Sequence, residues 1–148
     1  MDAQYHFTLD VCANQRNKKC ERYWDILDDG LTTPWRGVCW MNPPYGKETP
    51  LWLRKLAEHG HGIALVFART DTAWFHDYCS QADAILFLRK RINFVDENGV
   101  EGGSPGSGSM LLAWGHDCVE ALENVQQGIG ATWREVPWSI MSRGMGKT

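Results

Sequence analysis

The stretch "GIALVFA", Gly62 to Ala68, is apolar at every position after its glycine. A strand with one wet face alternates apolar and polar side chains. An unbroken apolar run is what a strand needs when both its faces are covered. "GVCWM" (37–41), "AILFL" (84–88) and "MLLAWG" (110–115) share this character, "FTLDV" (7–11) is a short apolar run ending at an aspartate, and "ATWREV" (131–136) completes the series. Helical signals lie between them. "TPLWLRKLAEHG" opens on a threonine, carries Pro50 in its first turn and stops at Gly60, with Leu51, Leu53, Leu56 and Ala57 on the buried side. "TAWFHDYCSQA" follows Asp71, which can cap it, and "DCVEALENVQQ" is the third candidate. Uniformly apolar strands alternating with helices predict an α/β fold, a mainly parallel sheet with helices on both faces.

The rest of the chain reads as connection. "NQRNKKCER" is a loop or short helix, "DDGLTTPW" is irregular, "RINFV" with "DENG" suggests a strand and turn, and "GVEGGSPGSGS" is a mobile loop. One domain over 1–138 with a flexible tail at 139–148 suits a length of 148 residues. There is no long apolar run to span a membrane and no leader-like block at the start, so a cytoplasmic protein is expected. Five cysteines are scattered without a C-x-x-C pair, which predicts reduced thiols and no metal site.

In an open sheet of this kind, ligands bind beyond the carboxyl ends of the strands. That rule selects Asp10 to Ala13, Asn42 to Tyr45 and Arg69 to Asp71, all expected along one edge. The second is the most restrictive: "MNPPYG" leaves a strand through two prolines. Pro43 and Pro44 fix their own φ, bias the preceding residue toward extended backbone and carry no N–H. The corner therefore offers carbonyl acceptors without competing donors. With the Asn42 side-chain oxygen, two acceptors can converge on both hydrogens of an NH2 group. Hydrogen bonds to both favour a tetrahedral nitrogen whose lone pair can attack an electrophilic methyl. Tyr45 supplies a flat face for the ring that bears the amine. In isolation the same tetrapeptide also reads as a rigid turn.

Asp10 and Asp29 read equally as loop caps or ligand contacts, with Asp25 and Asp28 as alternatives. Arg69 and Asp71 read as an ion pair plus a helix cap, or as site residues. His76 reads as a surface histidine, since this chemistry needs no strong base. The formal charge of −3 argues against bulk electrostatic coating of nucleic acid, but Arg89, Lys90 and Arg91 form a local basic run beside Phe94.

Taken in order from Phe7 to Trp114, "LDVCAN", "DGL…PW", "NPPYG", "ARTDTAWFH" and "FLRKRINF" resemble phage-type DNA N6-adenine methyltransferases of the Dam group. The resemblance implies a Rossmann-like fold, phage or prophage origin, S-adenosylmethionine as methyl donor and double-stranded DNA as partner. It implies that Asn42, Pro43, Pro44 and Tyr45 form the catalytic motif, with Tyr45 stacking on a flipped adenine. It places Asp10, Val11, Cys12, Ala13 and Asp29 at the cofactor, and Arg69, Arg89, Lys90 and Arg91 on DNA phosphates. Two features depart from the pattern. No glycine follows the cofactor strand, where small Ala13 can substitute. The family's preceding threonine-proline segment is not seen, so an N-terminally shortened domain is expected. The same corner also occurs in release-factor N5-glutamine methyltransferases, and a DNA-binding remnant without activity is the non-enzymatic reading.

Overall fold

A computed structural model describes residues 6–93, 98, 100–102 and 106–134. Its elements run β1 (Leu9–Asp10), β2 (Cys39–Met41), α1 (Thr49–His59), β3 (Gly62–Phe67), α2 (Ala73–Asp77), a 3-10 turn (Cys79–Gln81), β4 (Ala84–Leu88), β5 (Ser109–Trp114), α3 (His116–Val125) and β6 (Gly130–Arg134). The six strands form one sheet in the order β1-β2-β3-β5-β4-β6.

The sheet is mixed, which corrects the expectation of a mainly parallel one. β1, β2 and β3 pair in parallel. The β3–β5, β5–β4 and β4–β6 pairings are all antiparallel. The cause is the connection after β4. A parallel neighbour requires a crossover, usually helical, whereas the glycine-serine stretch between β4 and β5 has no helical period. The chain therefore turns back, and β5 slots between β3 and β4.

Both faces are covered, as the uniform strands require. Alternate residues divide cleanly: Cys39, Met41, Ala64, Val66, Met110 and Leu112 share a cluster with Trp52, Leu53 and Leu56 of α1. Trp40, Ile63, Leu65, Leu111 and Ala113 share the opposite one with Val119 and Leu122 of α3. Each fully buried leucine of this kind contributes about 1.5–3 kcal/mol.

Three local expectations are corrected. The buried stripe of α1 is Thr49, Trp52, Leu53 and Leu56, while Leu51 is 52% exposed because the helix is rotated from the anticipated face. The cap of α2 is Thr72, whose hydroxyl accepts the Phe75 N–H, so Asp71 is one residue too early. Arg91 to Asn93 is not a strand. Phe94 and most of "DENG", parts of the glycine-serine loop and the tail lie outside the described residues.

The segment at 14–22, anticipated as loop or short helix, leads into an extra edge. Asp10 and Tyr23 form a parallel bridge. The Asp10 N–H donates to the Arg22 carbonyl at 2.9 Å and the Trp24 N–H to the Asp10 carbonyl at 2.8 Å. Tyr23 and Trp24 thus cover the outer side of β1, and the chain leaves them at the same end of the sheet as β1 and β2.

Candidate active site

Because β1, β2 and β3 are parallel, the segments after Asp10, Met41 and Phe67 emerge at one edge. This is the arrangement expected for the three selected stretches. β4 runs in the same direction as β3, since each is antiparallel to the intervening β5. Phe67 lies opposite Ser109 and Phe87 opposite Met110, so continuing the register sets Leu88 level with Phe67. Arg89, Lys90 and Arg91, all exposed, therefore share the edge with exposed Arg69. Only one strand separates them, a spacing of about 10 Å.

Asn42 is half-buried and Pro43 buried at the end of β2, while Pro44 is exposed. Among the described residues nothing donates to the Pro43 carbonyl. The Tyr45 hydroxyl donates to the Leu65 carbonyl at 3.2 Å, with Asn42 Oδ1 at 3.4 Å. A phenol has one hydrogen, so the longer contact leaves the Asn42 oxygen with accepting capacity. The Tyr45 ring lies on Phe67 with centroids 4.1 Å apart and planes 31° from parallel. The ring is nevertheless 38% exposed. Burial of the hydroxyl pushes the phenol well above its ordinary range, so it stays protonated and remains a donor. The Arg69 guanidinium lies 5.9 Å from the Phe67 centroid, which brings a cation to the same aromatic pair.

A threonine that the sequence reading treated only as a helix start fixes this corner to α1. Thr49 Oγ1 accepts the Gly46 N–H at 3.0 Å and donates to the Pro44 carbonyl at 3.3 Å. The side chain is 2% exposed, so water does not compete for these bonds.

On the β1 side, Asp10 is 2% exposed. Its carboxylate accepts the Cys12 N–H at 3.3 Å and the Lys19 N–H at 2.9 Å, which folds the loop after β1. Burial pushes the carboxyl up, against those two bonds and the Lys19 charge, which pull it down. Val11 is buried, and Cys12 and Ala13 are half-buried. Burial, the Asp10 carboxylate and Glu48 push the Cys12 thiol up to about 12, so it is a neutral, unreactive wall.

The loop after Trp24 is tightly built. Asp25 Oδ1 accepts the Leu27 and Asp28 N–H groups at 2.8 and 3.2 Å, and Asp28 Oδ2 accepts the Asp25 N–H at 2.9 Å. The turn holds two large apolar side chains in solvent, Ile26 at 94% and Leu27 at 90% exposure. Asp29 has φ +48°, and among the described residues no other non-glycine lies in that region. Aspartate tolerates it better than most. Its side chain is exposed. Gly30 then passes so close to β1 that a Cβ there would sit 2.3 Å from the Val11 carbonyl oxygen. That approach is what brings Asp29 next to the β1 end.

Nothing in the sequence pointed to Lys55, which anchors this loop from α1. Its ammonium donates to the carbonyls of Gly30, Leu31 and Thr33 at 2.5–2.9 Å and lies 5.0 Å from the Trp35 ring centroid. Lys55→Met keeps the aliphatic stem and removes all three bonds. The expected loss is about 2 kcal/mol, a fall in Tm of roughly 4–8 °C for a domain of this size. Thermal unfolding followed by circular dichroism checks it; an unchanged Tm would show that water replaces the ammonium at no cost.

A groove of about 210 Å³ opens beside β1, lined by Leu9, Arg22, Trp24, Thr33, Pro34 and Arg36. None of these residues belongs to the corner. Among the described residues no helix is long and apolar enough to cross a membrane.

Comparison with known proteins gives concordant matches. A family model described as DNA N-6-adenine-methyltransferase (Dam) matches residues 1–140. The DNA N-6-adenine-methyltransferase of Haemophilus phage HP1 (strain HP1c1) is 31% identical over 113 residues, covering 72% of this chain and 65% of the relative. That of Escherichia phage T1 is 28% identical over 88 residues, covering 55% and 37%. The chain thus spans less than two thirds of the length of these curated relatives. No solved structure matches.

Proposed function

This chain belongs to the DNA N-6-adenine-methyltransferase (Dam) family, and from that premise we propose that it moves a methyl group from S-adenosylmethionine to N6 of an adenine in double-stranded DNA. The observation that carries the reading is the corner itself. Asn42 Oδ1 and the Pro43 carbonyl stand at the carboxyl edge of parallel strands, beside a tyrosine ring already seated on Phe67. The parallel half of the sheet, with its site at that edge, supports a Rossmann-like reading despite the antiparallel half.

Asn42 and Pro43 would accept the two hydrogens of the adenine amine, drawing its lone pair out of conjugation. Tyr45 would hold the flipped base by stacking, its hydroxyl tied to Leu65 so that the ring cannot swing. The methylated amine becomes acidic enough to release its proton to water, so exposed His76 is not required. Arg69, Arg89, Lys90 and Arg91 would bind backbone phosphates along the shared edge.

S-adenosylmethionine, when bound, supplies the electrophilic methyl. The residues present fit it. Exposed Ile26 and Leu27 offer apolar contact to a purine, and exposed Asp29 offers an acceptor for a hydroxyl or ring amine. Val11, Cys12 and Ala13 offer a narrow neutral wall. Asp10 would act by holding that wall in place, because both its oxygens already accept backbone N–H groups.

The test is incubation with labelled S-adenosylmethionine and unmethylated duplex DNA. Label recovered as N6-methyladenine, with none on a release-factor substrate, supports the proposal. Label on the protein substrate selects the glutamine reading, and DNA binding without transfer selects the remnant. Tyr45 separates stacking from hydrogen bonding. Tyr45→Ala is expected to lower kcat/KM by about 10–100-fold, the scale of a lost base–aromatic contact. Tyr45→Phe keeps the ring and loses one modest hydrogen bond, a change of about fivefold or less. Equal losses in both variants would refute the stacking role.

A further inference from the structure

The N-terminal end of β3 and the start of α3 meet at the edge opposite the candidate active site. The sequence is rich in nitrogen ligands there: His59, His61 and His116 are three of the five histidines in the chain. His61 Nε2 faces both oxygens of Asp117, at 2.9 Å from each. Cys118 follows at once, its side chain buried. The ligand atoms of His61, Asp117 and Cys118 all lie within 4.8 Å of one another.

The backbone is shaped to allow this approach. Gly115 has φ +95°, and a Cβ there would stand 2.9 Å from His61 Cδ2 and 3.3 Å from Asp117 Oδ1. Its N–H is held by Asp83 Oδ2 at 2.8 Å. Any side chain at Gly115 would push the histidine off the carboxylate.

We propose that His61, Asp117 and Cys118 bind a borderline-soft divalent cation of the zinc class, with water completing a tetrahedral shell. Zinc bonds of about 2.0–2.3 Å require ligand atoms some 3.2–3.8 Å apart, which small side-chain rotations supply here. A nitrogen, a carboxylate oxygen and a thiolate together suit zinc or cobalt and not magnesium or calcium. The cation sits between His61 and Asp117, and its binding displaces the Cys118 thiol proton to solvent, so affinity rises with pH. The site clips β3 to α3. It lies roughly 17 Å from the carboxyl edge, at ~3.3 Å per residue along the six residues of β3, so its role is structural or regulatory.

The experiment titrates the chelator-treated protein with Co²⁺. One equivalent should produce visible ligand-field bands of four-coordinate cobalt and a near-ultraviolet sulfur-to-cobalt band, both abolished by Zn²⁺. Cys118→Ser should remove the sulfur band. His61→Gln and Asp117→Asn, both at partly exposed side chains, should each weaken binding by about tenfold or more while leaving methyl transfer unchanged. Zn²⁺ at about 100 times its Kd should raise Tm by roughly 5–10 °C. No sulfur-to-cobalt band at about 1 mM Co²⁺, or a band indifferent to His61→Gln and Asp117→Asn, overturns the site. Should Cys118→Ser fail to fold, those two variants decide alone.

Discussion

Replacing Asn42 with alanine is expected to lower the single-turnover rate of methyl transfer by about 10²–10³-fold, the usual cost of deleting one preorganised hydrogen-bonding group at a reacting centre. The expectation rests on where the amide sits. It is half-buried on a strand end, next to a Pro43 carbonyl that cannot do the work alone, because one acceptor engages one amine hydrogen. Affinity for DNA and for the methyl donor should change by less than about threefold, since the interaction strengthens mainly as the nitrogen pyramidalises. Asn42→Asp is the informative companion. Aspartate keeps an acceptor at the same place, so it should retain more activity than alanine. Quench-flow transfer from labelled S-adenosylmethionine at saturating DNA reads the rate directly. An alanine variant as fast as the parent would remove Asn42 from the chemistry and leave the double-proline corner as a turn.

Neutralising Arg69, Arg89, Lys90 and Arg91 together to glutamine should flatten the dependence of log K on log salt by about 3.6, at ~0.9 for each phosphate contact. Affinity at 0.1 M salt should fall by about 10³-fold, with parent and variant converging near 1 M. Single replacements should each reduce the slope by about 0.9. The four side chains are exposed, so stability should barely move. If only Arg69 changes the slope, Arg89 to Arg91 is a solvated strand end, the reading that its position after β4 always allowed. Fluorescence anisotropy on a labelled duplex across a salt series distinguishes the two.

How far the sequence reached can be followed residue by residue. Uniformly apolar strands require two covered faces whichever way the neighbours run, so "GIALVFA" located the buried sheet and, with it, the edge bearing Asn42 and Arg69. Strand direction is not encoded in that pattern. It depends on the connection, and the glycine-serine stretch, read only as a loop, was in fact the signal that β5 turns back. Thr72 rather than Asp71 caps α2 because capping depends on which residue takes the extended backbone angle, ψ 150° here, and both types suit the position. Asp10 was legible as important but not as buried. Its two N–H partners come from a loop whose path no local pattern describes. Lys55 and the His61–Asp117 pair escaped notice because their partners are distant in sequence, the latter by 56 residues. Cysteine spacing spoke only to C-x-x-C arrangements and could not register a mixed ligand set assembled by the fold.

The insertion of β5 between β3 and β4 also dictates an order of events on the ribosome. Until Ser109 to Trp114 have left the exit tunnel, β3 and β4 each present an unpaired apolar edge, and no strand hydrogen-bonds the half of the sheet next to Tyr45 to the half next to Arg89. A nascent chain halted before that strand would be adhesive and would lack the joined edge that the proposed site needs, so that edge is completed late in translation.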